Sequence, residues 1–385
     1  MPEGRMRALP VAGKSPSERL ALERQNAAIM AVFERAGFDQ IAPDIIQPAD
    51  IFLERSGEDI RARTFVFNDP EGHELCLRPD LTVPACRYHL SHAENPAAEA
   101  KYCYLGPAFR FPDERLSPQE FNQAGLEWFG AADISAEARI LKLAISALEA
   151  AGATGLKVTL GDVGLFTALL NDTEMPDRWR RRLRHQFWRP QAFQNLLTTF
   201  AAGHNQKRTS ISPIVDEFRN GDATTNWLDQ NNIPLQGTRT LAEISSRLTE
   251  KFADRSQNPL DPLKRQAIEN YLSIEGAATD VPLLLEAIST SDQYAAACAS
   301  FTKRLELFED AGLNPRRFKF SANFGRELEY YTGFVFQIEA DSAHGPVAIA
   351  GGGRYDELLS DLGAAQKVPA IGCAIHTERL AAVLA

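Results

Sequence analysis

Long apolar runs are missing from this chain. No stretch approaches the ~18 residues that a membrane-spanning helix needs. The first residues, Met1 to Pro16, are polar and loop-like, so they do not read as a secretion signal. Cysteine is sparse: Cys76, Cys86, Cys103, Cys298 and Cys373 are scattered, odd in number and form no CxxC pair. That pattern argues against a disulfide framework or a zinc site and for a cytoplasmic compartment with reduced thiols. Basic excess is missing too. The formal net charge is −10, whereas affinity for nucleic acid is driven by cations that displace phosphate counterions. Internal repeats and low-complexity tracts are also absent.

What remains is an ordinary globular composition, 385 residues and 44% apolar, enough for two or three compact units. Residues 17–36 read as a helix, with Ser15 or Ser17 as its N-cap and Gly37 just past its end. Strand-like runs at 62–67 and 73–78 flank the turn signal Asn68-Asp69-Pro70-Glu71-Gly72. Residues 101–111 and 120–130 are β-rich, joined by the charged loop 112–118. A helix follows at 135–151, closed by Gly152, then a strand at 156–160. From about residue 165 to 312 helical spacing dominates. This block includes a capping box at Thr240-Leu241-Ala242-Glu243 and loops near 220–225 and 256–262. Strands return at 318–323, 333–340 and 346–350, and a last helix starts near His376. The pattern predicts an α+β fold: a mainly antiparallel sheet flanked by helices. Residues 1–165 and 312–385 would form one discontinuous domain, interrupted by a mainly helical insertion at 166–311. Cys76 and Cys103 sit in apolar alternating runs and read as small core residues.

Three segments carry chemistry. The first runs from Tyr102 to Arg110 and resumes from Phe121 to Gly130. Gln123 and Glu127 are four apart, so period-two alternation puts both on one face of a strand. Arg110 can hold a carboxylate or phosphate with a bidentate fork, and a carboxylate beside it can accept from an imidazole N–H or an ammonium. The second runs from Gly325 to Phe336. The third runs from Ala350 to Asp356, with Pro369-Ala370-Ile371-Gly372 and Glu378-Arg379-Leu380. Its triple glycine fits neither a P-loop nor a dinucleotide fingerprint. Each segment alone reads as ordinary structure.

In this order, however, they resemble the class II aminoacyl-tRNA synthetase core, and within it histidyl-tRNA synthetase. Gly106-Pro107-Ala108-Phe109-Arg110 is similar to the second class motif. Arg78-Pro79-Asp80-Leu81-Thr82 is similar to the Arg-Pro-Glu-Gly-Thr segment. Arg326 to Phe336 is similar to the histidine-specific signature, and Gly352 to Asp356 with Glu378-Arg379-Leu380 to the last motifs. The resemblance covers about 17–165 and 312–385. It implies that Glu127 and Tyr331 address an imidazole, that Arg326 pairs with an α-carboxylate, and that Asp80, Thr82 and Gln123 take an α-ammonium. Arg110 and Tyr330 complete the implied histidine site. No metal, cofactor or catalytic residue is expected.

The departures from the synthetase pattern point to a paralogous family. The loop Pro112-Asp113-Glu114-Arg115-Leu116-Ser117-Pro118 keeps one arginine where the synthetase loop is basic. Glu327 replaces a glycine near the amino acid. His376-Thr377 replace the glycine before Glu378-Arg379, where a side chain would crowd a nucleotide pocket. The sequence ends five residues after Leu380, so no anticodon-binding domain is expected. These departures resemble the regulatory subunits of ATP phosphoribosyltransferase. That likeness implies a short-form catalytic partner subunit, histidine as effector, self-association within a hetero-oligomer, and neither nucleic acid nor membrane as partner. Two alternatives stay open: a truncated histidyl-tRNA synthetase, and a free-standing histidine-binding module. Six arginines lie among aromatics between Arg178 and Arg189, a possible RNA patch. Trp179, Leu183 and Phe187 nevertheless fall four apart, as on a docked helix with a solvated arginine face, and an acidic protein partner is a middle case.

Overall fold

The computed structural model describes residues 13–50, 52, 60, 62–111, 119–202, 230, 257–325, 330–343 and 345–384. Arg326, Glu327, the loop 112–118, the capping box at 240–243 and the loop near 220–225 lie outside the described residues.

The chain divides into a unit of residues 1–168 and 271–385 and a second unit of 169–270. This division differs from the boundaries expected at 165 and 311. Residues 271–311 fall in the first unit because a short strand, Glu275–Ala277, joins the edge of its sheet.

Among the described residues nine strands build that sheet. In chain order they are β1 (Asp39–Gln40), β5 (Ala100–Phe109), β6 (Glu120–Phe129), β7 (Lys157–Asp162), β8 (Glu275–Ala277), β9 (Phe318–Ser321), β10 (Phe334–Ser342), β11 (Gly345–Arg354) and β12 (Ala370–His376). Their spatial order is β1-β5-β6-β12-β11-β10-β7-β9-β8. Among the described residues β1–β5 and β7–β9 pair in parallel and the other pairs of this sheet are antiparallel. A separate three-stranded sheet holds β2 (Ile46–Pro48), β3 (Val66–Asn68) and β4 (Glu74–Leu77), in the order β2-β4-β3. The strand expected from residue 62 starts only at Val66. Thr64 donates its hydroxyl to the Ile60 carbonyl at 2.6 Å and Arg63 N–H donates to the same oxygen. The chain before Val66 is therefore committed to a turn on the Ile60 carbonyl.

Helix α1 (Pro16–Arg35) begins with a complete capping box: Ser15 and Glu18 exchange side-chain-to-backbone hydrogen bonds, and Pro16 sits at the first helical position. Leu22, Ile29, Met30 and Phe33 form its buried stripe. It packs on α3 (Ser135–Ala150), while α2 (Thr82–His92) follows the small sheet. After β7 comes α4 (Val163–Asn171), and the second unit holds α5 (Asp177–His185) and α6 (Pro190–Ala202). On α5, Trp179 and Leu183 are buried, and so is Phe187 just beyond it; the Trp179 ring stacks on Phe200 at 4.3 Å. The apolar stripe is thus internal to its own unit. The chain returns through α7 (Pro262–Leu272), α8 (Val281–Glu286) and α9 (Asp292–Asp310), and α10 (Leu358–Asp361) and α11 (Thr377–Leu384) bracket β12. Among the described residues no helix is long and apolar enough to cross a membrane. All five cysteines are buried.

A charged network is sealed inside the first unit. Glu137 on α3 binds Arg304 of α9 with one oxygen and Arg354 of β11, at 2.6 Å, with the other. Arg304 also reaches Asp162 at 2.9 Å, whose second oxygen accepts from Gly164 N–H at the start of α4. Burial is tolerable here because each charge meets an opposite charge and further hydrogen bonds.

Candidate functional site

Alternation along β6 sends Phe121, Gln123, Gly125 and Glu127 to one side of the sheet. There Phe121, Gln123 and Glu127, together with β12, line a cavity of about 660 Å³. In the β6–β12 register Gly372 faces Glu127 and His376 faces Gln123. Two glycines make the floor possible. A Cβ at Gly372 would stand 1.6 Å from Glu127 Oε2, and one at Gly125 would stand 2.5 Å from the Tyr104 hydroxyl. Without those side chains Glu127 lies flat across β12, and Tyr104 reaches over β6 to it.

Glu127 is 1% exposed. The Tyr104 hydroxyl donates to Oε1 at 2.8 Å, and the Tyr355 hydroxyl donates to Oε2. Burial pushes its carboxyl up to about 7, against the pull of hydrogen bonds from Tyr355, Tyr104 and Thr82. A carboxylate so placed trades a proton near neutrality and can accept from an imidazole N–H. Asp80 is buried as well. Its Oδ1 accepts from Val83 N–H at 3.3 Å, while Oδ2 has no partner among the described residues. Burial raises the Asp80 carboxyl and the Arg110 guanidinium partly opposes the rise. A buried carboxylate oxygen left unpaired is costly, so this atom is ready for a cationic donor.

Gln123 accepts from Leu81 N–H through Oε1 at 3.1 Å, leaving its amide N–H₂ as the donor end. Thr82 is buried beside it. Arg110 donates through Nε to the Pro79 carbonyl at 2.7 Å, and its guanidinium carbon lies 5.4 Å from the Phe121 ring centroid. Tyr330 and Tyr331 are buried, with ring centroids 4.8 Å apart, and Tyr330 meets Tyr355 edge-on at 5.7 Å. Seven of the eight expected site residues, Asp80, Thr82, Arg110, Gln123, Glu127, Tyr330 and Tyr331, therefore line one cavity. Arg326 is outside the described residues.

Sequence reasoning missed Tyr104 and Tyr355. Tyr355 lay in a quoted motif, but nothing in its spacing pointed inward. Tyr104 had a signal: it pairs with Gly125 across β5 and β6, and a glycine inside a strand often marks the close approach of another group.

A family model described as histidyl-tRNA synthetase matches residues 12–250 and 240–380. An ATP phosphoribosyltransferase regulatory subunit from Sinorhizobium fredii is 34% identical over 369 residues, covering 93% of this chain and 96% of that one. Its namesake from Brucella anthropi is 35% identical over 347 residues, covering 87% and 90%. This chain belongs to the family of ATP phosphoribosyltransferase regulatory subunits. The fold of this family member is also that of solved structures. One is described as an ATP phosphoribosyltransferase regulatory subunit/histidyl-tRNA synthetase from Bacillus halodurans C. It aligns with a TM-score of 0.69 at 22% identity, covering all of this chain and 84% of that chain. A histidine–tRNA ligase subunit from Alicyclobacillus acidocaldarius aligns with a TM-score of 0.59 at 23% identity, covering 97% of this chain and 95% of that chain. The sheet-and-helix core of this regulatory-subunit family is thus the class II synthetase core expected from the motifs.

Proposed function

We propose that this chain is the non-catalytic regulatory partner of a short-form ATP phosphoribosyltransferase catalytic subunit, and that histidine in the cavity is its effector. The partner would need this chain for activity, and histidine would restrain the assembly in the first step of histidine biosynthesis. The observation that carries the reading is the pair of buried carboxylates in one cavity, in a member of the regulatory-subunit family. Glu127 suits an imidazole, and the unpartnered Asp80 Oδ2 suits an α-ammonium. In this reading Tyr331 and Tyr330 pack about the ring, Thr82 and Gln123 support the ammonium, and Arg110 and Arg326 supply positive charge for the carboxylate. The net charge of −10 fits a protein partner better than nucleic acid, and free thiols fit the cytoplasm. Feedback requires histidine to favour one state of the assembly over another.

Calorimetry with histidine and the purified chain tests the site. We expect saturable binding, weakened roughly ten- to hundred-fold in Glu127→Gln, since a hydrogen bond to a charged group contributes ~1.5–3 kcal/mol. Histidine-dependent ATP–pyrophosphate exchange should stay at background. Strong exchange would overturn the non-catalytic reading and favour a truncated synthetase.

A further inference from the structure

Tyr355 reaches Glu127 from the end of β11, while its two chain neighbours turn elsewhere. Arg354 is buried and points to the start of α3 and the turn before it. Its Nε donates to Glu137 Oε1 at 2.6 Å, Nη1 to the Ala131 carbonyl at 2.8 Å and Nη2 to the Asp133 carbonyl at 3.3 Å. Asp356 accepts through Oδ1 from Arg354 Nη1 at 3.2 Å, and from the N–H of Ala370, where β12 starts, at 3.0 Å. The backbone of the three residues is held as well. Tyr355 N–H donates to the Ala370 carbonyl at 2.8 Å. Thr332 N–H donates to the Arg354 carbonyl at 2.9 Å, and the Thr332 hydroxyl accepts from Asp356 N–H at 3.1 Å. Residues 354–356 are thus tied at once to α3, to β12 and to the segment that carries Tyr330 and Tyr331.

A hydrogen bond weakens steeply as its distance and angle depart from the optimum. A small shift of the backbone at Tyr355 would be carried to the hydroxyl at the far end of the ring, and so to Glu127 Oε2. We propose that Arg354 and Asp356 are positioning residues for the cavity: by clamping the chain on both sides of Tyr355 they aim its hydroxyl at Glu127 and set the proton state in which that carboxyl meets a ligand. Burial raises the Glu127 carboxyl, and the bond from Tyr355 is the strongest pull the other way, ahead of those from Tyr104 and Thr82. Of the other groups that face it, Asp80 pushes it up. Cys86, Tyr330 and Tyr104 are themselves driven well up by burial, so they stay neutral near pH 7. Loosening the clamp therefore lets Glu127 climb above 7. The consequence for histidine rests on the function proposed above; the consequence for Glu127 itself does not.

The experiment is urea unfolding of the ligand-free chain from pH 5 to 9, for wild type, Tyr355→Phe, Asp356→Ala, Asp356→Asn and Arg354→Lys, each paired with the same chain carrying Glu127→Gln. The difference within a pair reports the titration of Glu127. We expect its midpoint near pH 7 in wild type and about one unit higher in Tyr355→Phe, a tenfold change in the proton equilibrium for one lost hydrogen bond to a charged group. Asp356→Ala and Arg354→Lys should move the midpoint the same way. Asp356→Asn keeps an acceptor for Ala370 N–H and should stay at the wild-type value. Asp356→Ala added to Tyr355→Phe should shift it no further, because both act through one bond. A merely structural pair would lower stability equally with and without Glu127 and leave the midpoint in place. That result, or shifts that add in the double variant, overturns the proposal. Asp356 is 34% exposed, so its variants decide the matter if Arg354→Lys does not fold. Histidine titrated by calorimetry over the same pH range reads the ligand step separately. Its affinity profile should move with the Glu127 midpoint, and a profile unmoved by the variants overturns that step. Absence of histidine binding by the wild type would count against the proposed function while leaving the Glu127 midpoints intact.

Discussion

Glu127 concentrates the chemistry of this site into one titration. Its folded carboxyl sits near 7, above the ~4.3 of a free glutamate. Between those values the native state binds more protons than the unfolded chain. The resulting contribution to stability is full below about pH 4.3 and is lost as pH rises through 7, on the order of 3 kcal/mol across the window. Glu127→Gln, a neutral near-isostere, should remove that slope. Urea unfolding of the ligand-free chain from pH 4.5 to 8 should show the wild type losing stability relative to the variant as pH rises. Parallel curves would place the proton elsewhere. The sequence disclosed Glu127 because alternation from Gln123 needs only a strand. It did not disclose the two tyrosines that hold it, because cross-strand register and the vacancies at Gly125 and Gly372 exist only once β5, β6 and β12 are paired.

At the scale of elements, legibility followed periodicity. Helix α1 was readable from Ser15 or Ser17 as its N-cap and Gly37 past its end, both local signals. Strands β5 and β6 were readable from their composition. Strand β12 was not, because as a central strand nearly all of Ala370–His376 is buried and an apolar run shows no alternation. Helix α2 was missed for a similar reason: Thr82-Val83-Pro84-Ala85-Cys86 are all buried, which blurs the helical period. Nor could sequence show that Glu137, Asp162, Arg304 and Arg354, far apart in the chain, meet in one sealed network. That network joins α3, α9, β7 and β11. Glu137→Ala would leave Arg304 and Arg354 buried without their shared carboxylate. The expected loss is ~3–5 kcal/mol, measured by urea unfolding of the whole chain. A change within about 0.5 kcal/mol, typical of a surface substitution, would show that water enters and that the charges are not sealed.

At the scale of the whole molecule, motif order identified the class II core, since the motifs recur in sequence whatever lies between them. The boundary of the helical block was less legible. The three-residue strand β8 is too short to break a helical texture, yet it draws residues 271–311 into the first unit. The central claim is that this chain makes a phosphoribosyltransferase active and answers to histidine. Its most direct test is the activity of a short-form ATP phosphoribosyltransferase catalytic subunit, assayed alone, with this chain, and with this chain plus histidine. The account predicts little activity alone, strong activity with the chain, and inhibition by histidine that Glu127→Gln blunts without reducing the uninhibited rate. Activity indifferent to the chain, or inhibition by histidine that Glu127→Gln leaves unchanged, would contradict it.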